Sequence, residues 1–305
     1  MVTLVKVMES PIVIDAHTRH TTKVLFSPDN SVLLTSGQDN LVHAWTVQEW
    51  TQQHTFFGHT NSVNAIALTP TMEFLVTGST DNTVKIWNYS SGDVEYTLSG
   101  HKKTVATVAV SPTGEYIASG SYDGEVKIWN LQTGKELLTL TEIGRNVSSV
   151  DFSPDGKYLV GAGLGENIYL WTFPSCELIQ RLQGHETTVN AVKFSPNGEL
   201  LGSIGYEETL VIWDTRNWER VYSLALESRA MDLTFTADSK KVAAAIDFGV
   251  RMWNLRSGEI DKQYELPIKG VYSVSVSPKR RWLAVGSADG KARVWEIRKP
   301  RQKSH

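Results

Sequence analysis

Residues 100–129 read GHKKTVATVAVSPTGEYIASGSYDGEVKIW, and close variants of this stretch recur along the chain. The final tryptophan is the surest marker. Trp45, Trp87, Trp129, Trp171, Trp213, Trp253 and Trp295 follow one another at intervals of 42, 42, 42, 42, 40 and 42 residues. A fixed period of that length belongs to repeat architectures, in which each unit is one supersecondary element that cannot bury its apolar faces alone. Length by itself would suggest about two domains, but the repeat overrides that prior. One domain is expected over residues 1–297, followed by a basic tail, 298–305, that is expected to be solvated and disordered.

Within each repeat the apolar residues form short runs rich in Val, Ile, Leu and Ala, punctuated by Ser-Pro, Thr-Gly and Asp-Gly pairs. That is a pattern of strands and turns, not of helices. In the quoted repeat, strand a is read at 104–110, strand b at 116–121, strand c at 125–130 and strand d at 136–141. Four antiparallel strands in each of seven repeats give about twenty-eight. Strand b is built from small residues, as in Val76-Thr77-Gly78-Ser79, Ala118-Ser119-Gly120 and Ala243-Ala244-Ala245. Small inner side chains let sheets converge, which a radial, all-β propeller requires.

The totals exclude several classes. Thirty basic against thirty-three acidic residues leave a net charge of −3, so no global positive field marks a nucleic-acid binder. The single cysteine, Cys176, rules out an internal disulfide and fits a reducing compartment. Lys6 and Glu9 interrupt the stretch where a secretion signal needs an unbroken apolar run. No apolar run approaches the roughly 18 residues of a membrane span. A cytoplasmic protein is expected, or a nuclear one if the source is eukaryotic. There is no Cys pair, no His-x-x-x-His spacing and no phosphate-binding G-x-x-x-x-G-K-[ST] loop, so no metal or cofactor is expected.

Over residues 9–297 the chain resembles the WD40 repeat family. The family's Gly-His pair stands at Gly58-His59, Gly100-His101 and Gly184-His185, with Ala16-His17 in the same register, each His 28 residues before its tryptophan. Trp-Asp is literal only at Trp213-Asp214; Asn follows the tryptophan at Asn88, Asn130 and Asn254. The resemblance implies a seven-bladed β-propeller of four-stranded antiparallel blades, closed by the N-terminal strand. The residues support closure independently. Residues 9–14 precede His17 as residues 93–98 precede His101, and too little chain follows Trp295 for another strand d. Pro11 is acceptable there, because an outermost strand can spare an N–H. Residues 2–8 also look extended and have no assigned place.

Two constellations follow. His59, Ser79, Asp81 and Trp87, and again His101, Ser121, Asp123 and Trp129, place a Ser, a His and an Asp at matching offsets, the types a catalytic triad uses. The resemblance implies instead a buried hydrogen-bonded chain that ends on the tryptophan and fastens the loop before strand a to the b–c turn. Repetition in several blades supports structure over catalysis. Other blades depart from the pattern: Gly37 replaces the Ser in the first, Gly205 and Glu207 stand in the fifth, and Pro267 replaces the His in the seventh. The fourth has Ile143, Gly163 and Gly165, and the sixth keeps Asp247 at best. Blades four and six are therefore expected to be held mainly by packing.

The second constellation is a surface. Propellers of this family commonly bind partners where the b–c turns and the loops before strand a meet around the channel. Aligned on that face, most positions are small or polar; the exceptions are His20, Tyr122, Tyr206, Arg229, Met231 and Tyr272. Tyr, Met and Arg concentrate binding energy at interface cores. Either these side chains form a partner-binding surface, or the rings pack along the channel rim. Trp50 and Trp218, in turns between strands c and d, are expected on the opposite face, each folded onto its own blade, with Trp282 in the core. The sequence thus points to a non-enzymatic interaction scaffold, monomeric by itself, an adaptor subunit that binds one or more proteins or peptides on its loop face. The alternatives are a nucleic-acid-binding or peptide-reader module and, behind these, an enzyme with a channel-mouth site.

Overall fold

In the computed structural model, which describes residues 10–297, each repeat folds as four consecutive antiparallel strands. The quoted repeat forms blade 3, with strands Val105–Val110, Tyr116–Ser121, Val126–Asn130 and Glu136–Leu140. Local chemistry sets its corners. After strand a, Ser111 takes the Tyr116 amide on its hydroxyl (3.1 Å) and gives its own amide to the Tyr116 carbonyl (2.9 Å). Gly114 supplies the left-handed turn between them at φ 76°. Seven such sheets, twenty-eight strands among the described residues, make up the ring.

No blade buries itself. Each buried apolar cluster joins two neighbouring blades, so Val76, Ile86, Leu98, Val105, Ile117 and Trp129 bind blade 2 to blade 3, and Leu34, Phe56, Val63, Leu75 and Trp87 bind blade 1 to blade 2. The small residues of strand b are where the next blade's strand a presses in. A Cβ on Gly78 would lie 2.7 Å from Val105 Cγ1, and one on Gly120 would lie 2.5 Å from Val147 Cγ1.

The ring closes through the N-terminal strand, Ile12–Asp15, which pairs antiparallel with Lys291–Glu296. Ile14 and Ala16 are buried with Val24, Leu33, Ala284 and Val294 at the seam between blades 7 and 1. The strand was expected at 9–14. It begins after Pro11, which has no N–H to give to the ladder, while Glu9 lies outside the described residues, as do the segments 2–8 and 298–305.

Two features position the functional face. Every strand a carries a bulge one residue in, between Val105 and Thr107 in blade 3 and at the matching place in the other six. A bulge lifts one side chain off the ladder, and Thr22, Asn64, Ala106, Ser148, Asn190, Met231 and Tyr272 are thereby turned toward the channel. On the opposite face, Trp50 and Trp218 take left-handed backbone, at φ 56° and 60°. They do not fold only onto their own blades. Trp50 meets Trp282 of blade 7 edge-on at 5.2 Å, and Trp218 lies against Tyr158 of blade 4 as well as Phe194 of its own blade. The c–d turn overlies the seam with the preceding blade, so a large side chain there reaches the neighbour first. Trp282 is half-buried against the seam cluster.

Candidate functional site: the channel mouth and its fastenings

The Ser-His-Asp-Trp sets hold the face together by a route that corrects the sequence expectation. In blade 2 the His59 Nδ1–H donates to Asp81 Oδ2 (2.7 Å), and His59 Nε2 is 2.6 Å from the hydroxyl of Thr77, which also accepts the Trp87 indole N–H (2.9 Å). Blade 3 repeats this with Ser119, at 2.8 Å from both His101 Nε2 and Trp129 Nε1. The bridging hydroxyl is therefore Thr77 or Ser119, not Ser79 or Ser121. Trp87 lies opposite Leu75 on strand b, so its indole reaches the next residue on that face, Thr77, and Ser79 is one pleat too far. Ser79 and Ser121 fasten backbone instead, donating to the carbonyls of Asn61 and Lys103 and accepting the amides of Asp81 and Asp123.

Read this way, blades 1 and 5 are complete. Thr35 joins His17 and Trp45, and Ser203 joins His185 and Trp213. Glu207 takes the place of Asp on His185. Its longer side chain fills the space beside Gly205, where a Cβ would lie 2.0 Å from the carboxylate. Blades 6 and 7 lack the histidine and use an arginine two residues before the tryptophan. Arg293 donates to Ser287 (2.8 Å) and to Asp289 (2.6 Å); Arg251 donates to the Leu226 carbonyl (3.0 Å) and to Glu227 (2.6 Å). Blade 6 thus has a polar clamp and is not held by packing alone. Only blade 4 matches that expectation: Gly161 stands at the bridging position, Ile143 packs beside it, and the buried Trp171 indole N–H has no partner.

These groups are tuned for structure. Burial would raise Asp39, but the bonds from His17, Thr18 and Leu41 hold it down at about 2. Burial lowers His101 and His185 against the pull of their carboxylates, and it lowers His43, whose ring lies tilted 4.9 Å from that of His17, to about 4. His17, Asp39 and His43, and separately His101, Asp123 and Glu125, bring ligand atoms within 4.8 Å of one another. Both His17 nitrogens are already engaged by Asp39 and Thr35, and His43 Nδ1 by Thr55. In the second set both His101 nitrogens are engaged as well, by Asp123 and Ser119.

Above the fastenings, one backbone bond recurs seven times. The first amide of each b–c turn donates to the carbonyl just before strand a: Gln38 to His20, Thr80 to Ser62, Tyr122 to Thr104, Leu164 to Asn146, Tyr206 to Thr188, Asp247 to Arg229 and Ala288 to Gly270, all at 2.8–3.0 Å. This puts Asp247, half-buried, at the position in blade 6 that Tyr122 and Tyr206 hold in blades 3 and 5, not at the buried carboxylate position assigned from sequence. Four residues separate Ala245 from its partner Val250, where five separate Gly120 from Val126. The hairpin of blade 6 is one residue shorter, and counting back from Trp253 misplaces it.

The mouth opens on a cavity of about 700 Å³ lined by His20, Tyr122, Arg229, Met231 and Tyr272 together with Leu164. Tyr206 stands just outside it, its ring under the Arg229 guanidinium at 5.0 Å, while His20 stacks on Tyr272 at 5.4 Å. Of the bulged side chains, those of Thr22, Asn64, Ser148 and Asn190 donate to a carbonyl of the next blade; Met231 and Tyr272 make no such bond. Tyr122, Leu164, Tyr206 and Phe248 remain 43–53% exposed. Sequence reasoning passed over Leu164 as a candidate and missed Phe248, which becomes visible once the shorter hairpin is recognised.

Deeper in the channel, Lys23 pairs with Asp232 and Lys193 with Asp151, each at 2.9 Å. This titratable group escaped the sequence reading because its members sit on different blades. Its carboxylates also accept backbone amides, Asp232 from Val274 (3.1 Å) and Asp151 from Phe194 (2.8 Å). They therefore tie successive strands a together. Among the described residues no helix is long and apolar enough to cross a membrane.

Comparison with known proteins agrees with this geometry. No curated protein matches the chain. The family model described as WD domain, G-beta repeat matches residues 8–46, 50–88, 92–130, 134–172, 176–214 and 263–296. Blade 6, with its short hairpin and arginine clamp, is the one it passes over. With most of its length matched, the chain belongs to the WD40, G-beta repeat family.

Proposed function

We propose that this propeller is a non-enzymatic interaction platform, an adaptor that holds a partner protein or peptide at the channel mouth through His20, Tyr122, Tyr206, Arg229, Met231 and Tyr272. One observation carries the reading: at a single mouth, large apolar side chains stay exposed on turns that seven identical backbone bonds hold in place. Exposed aromatic and arginine side chains on a rigid frame concentrate binding energy at little ordering cost. Membership of a family that commonly serves as an interaction scaffold supports the same reading. In it the protein works in the cytoplasm, as a monomer until its partner joins.

The test is affinity capture from a lysate of the source cells. Wild type is compared with the Tyr206→Ala, Arg229→Ala, Tyr272→Ala triple variant and with Trp50→Ala on the opposite face. Partners lost by the triple variant and kept by Trp50→Ala are expected. Equal capture by all three would place recognition elsewhere on the ring.

A further inference from the structure

The rim of the mouth is electrically lopsided. On the blade 3 side, the turn that carries Tyr122 lies between two cationic loops. The loop before strand a of blade 3 carries Lys102 and Lys103, and it is bound to the Tyr122 turn by the Thr104 carbonyl and by the Lys102 amide on Asp123. The loop before strand a of blade 4 carries Arg145 and rests on the same turn, so closely that a Cβ on Gly124 would lie 2.8 Å from the Arg145 amide nitrogen. All three cations are exposed. Lys102 has Glu125 at 3.8 Å; Lys103 and Arg145 have no carboxylate in ion-pair range among the described residues. Leu164, the rim residue of blade 4, stands next in the ring and shares the cavity lining with Tyr122.

The neighbouring sector has the opposite sign. Glu166, Glu186 and Glu208, from the turns and loop of blades 4 and 5, are exposed and none forms a salt bridge among the described residues. A polyanion laid across the face would meet these carboxylates, which disfavours a nucleic acid, since it needs a continuous cationic track. A short segment with its negative charge at one end does not meet that obstacle.

We infer that the blade 3 side of the mouth takes an acidic peptide segment, with an apolar side chain seated against Tyr122 and Leu164 and its carboxylates over Lys103 and Arg145. This rests on the mouth being the partner site and adds the chemistry of the partner. Complementary charge fixes the register of the segment and speeds encounter, and the apolar contact holds it. The carboxylates on blades 4 and 5 set its direction by repelling its acidic end.

A phage-displayed library of random linear peptides, selected on the immobilised full chain, tests the inference. The expected winners carry Asp or Glu beside a large apolar residue. A fluorescein-labelled winner is expected to lose about tenfold or more in affinity on a Lys103→Glu, Arg145→Glu variant that circular dichroism shows to be folded, and to weaken as salt rises. Winners without acidic enrichment that need Arg229 and Tyr272 but ignore Lys103 and Arg145 would overturn the inference and leave the mouth as partner site. Winners indifferent to both sets of residues would overturn both. A single-stranded oligonucleotide bound with the same dependence on Lys103 and Arg145 would replace the peptide with a nucleic acid.

Discussion

Thr77 satisfies two buried groups at once, the His59 Nε2 and the Trp87 N–H. Thr77→Val keeps the shape and leaves both unpaired, which is expected to cost about 1–3 kcal/mol, read as a lower urea midpoint. Thr77→Ser is expected to stay near wild type; equal midpoints for Val and Ser would remove the bridge from the account. The histidines give the ring a pH dependence of definite sign. Burial holds His43 at about 4 against its ordinary 6.5 and lowers His101 and His185. The unfolded chain therefore binds their protons first as pH falls, so this stability is fully present above about pH 6.5 and is lost on the way down to about pH 4. Asp39, held at about 2, adds a second loss below its unfolded value of 3.8. The melting temperature should fall between neutral pH and about pH 4.5, and His43→Gln, which cannot titrate, should shrink that fall. An undiminished fall would assign the effect to the other histidines.

At the scale of strands and turns, the closing strand and blade 4 are the informative elements. Ile14 is buried at the seam between blades 7 and 1, while Val13 beside it is 49% exposed. Ile14→Ala is expected to cost about 2–5 kcal/mol and Val13→Ala at most about 0.5 kcal/mol, both measured by urea unfolding; similar costs would deny the strand its closing role. Removing residues 1–14 should lower the melting temperature sharply. Blade 4 lacks the histidine bridge, so amide exchange should be faster through residues 142–146 than through the matching 100–104 of blade 3. The strands were legible because one tryptophan per period marks strand c, and the other three strands follow from it by fixed offsets. The bridging hydroxyls were less so. Thr77 and Ser79 lie on one face of one strand, and spacing alone gives a face, not a distance. The arginine clamps were hidden because a search for His at one position does not find a donor that arrives from another strand.

For the whole molecule, the fastenings recur from blade to blade, with arginine clamps in place of the histidine in blades 6 and 7, and the large side chains that depart from the small or polar pattern of the loop face gather at one mouth. His20, Tyr122, Arg229, Met231 and Tyr272 were legible as departures from the repeat, and the structure lines one cavity with them. Asp247 and Phe248 were not, because a one-residue deletion shifts every position counted from Trp253. The charge contrast between blade 3 and blade 5 depends on which loops adjoin around the ring, which no single repeat reveals. The triple variant at Tyr206, Arg229 and Tyr272 should keep a melting temperature near that of wild type, since Tyr206 and Arg229 are exposed and the half-buried Tyr272 stacks on His20 away from the fastenings; a large drop would make those residues structural. The most direct test of the central claim is an amide-exchange footprint of the propeller with its captured partner bound. Protection is expected in the b–c turns and the loops before strand a, around Tyr122, Leu164, Tyr206, Phe248 and Tyr272. Protection confined to the c–d turns around Trp50 and Trp218 would contradict it.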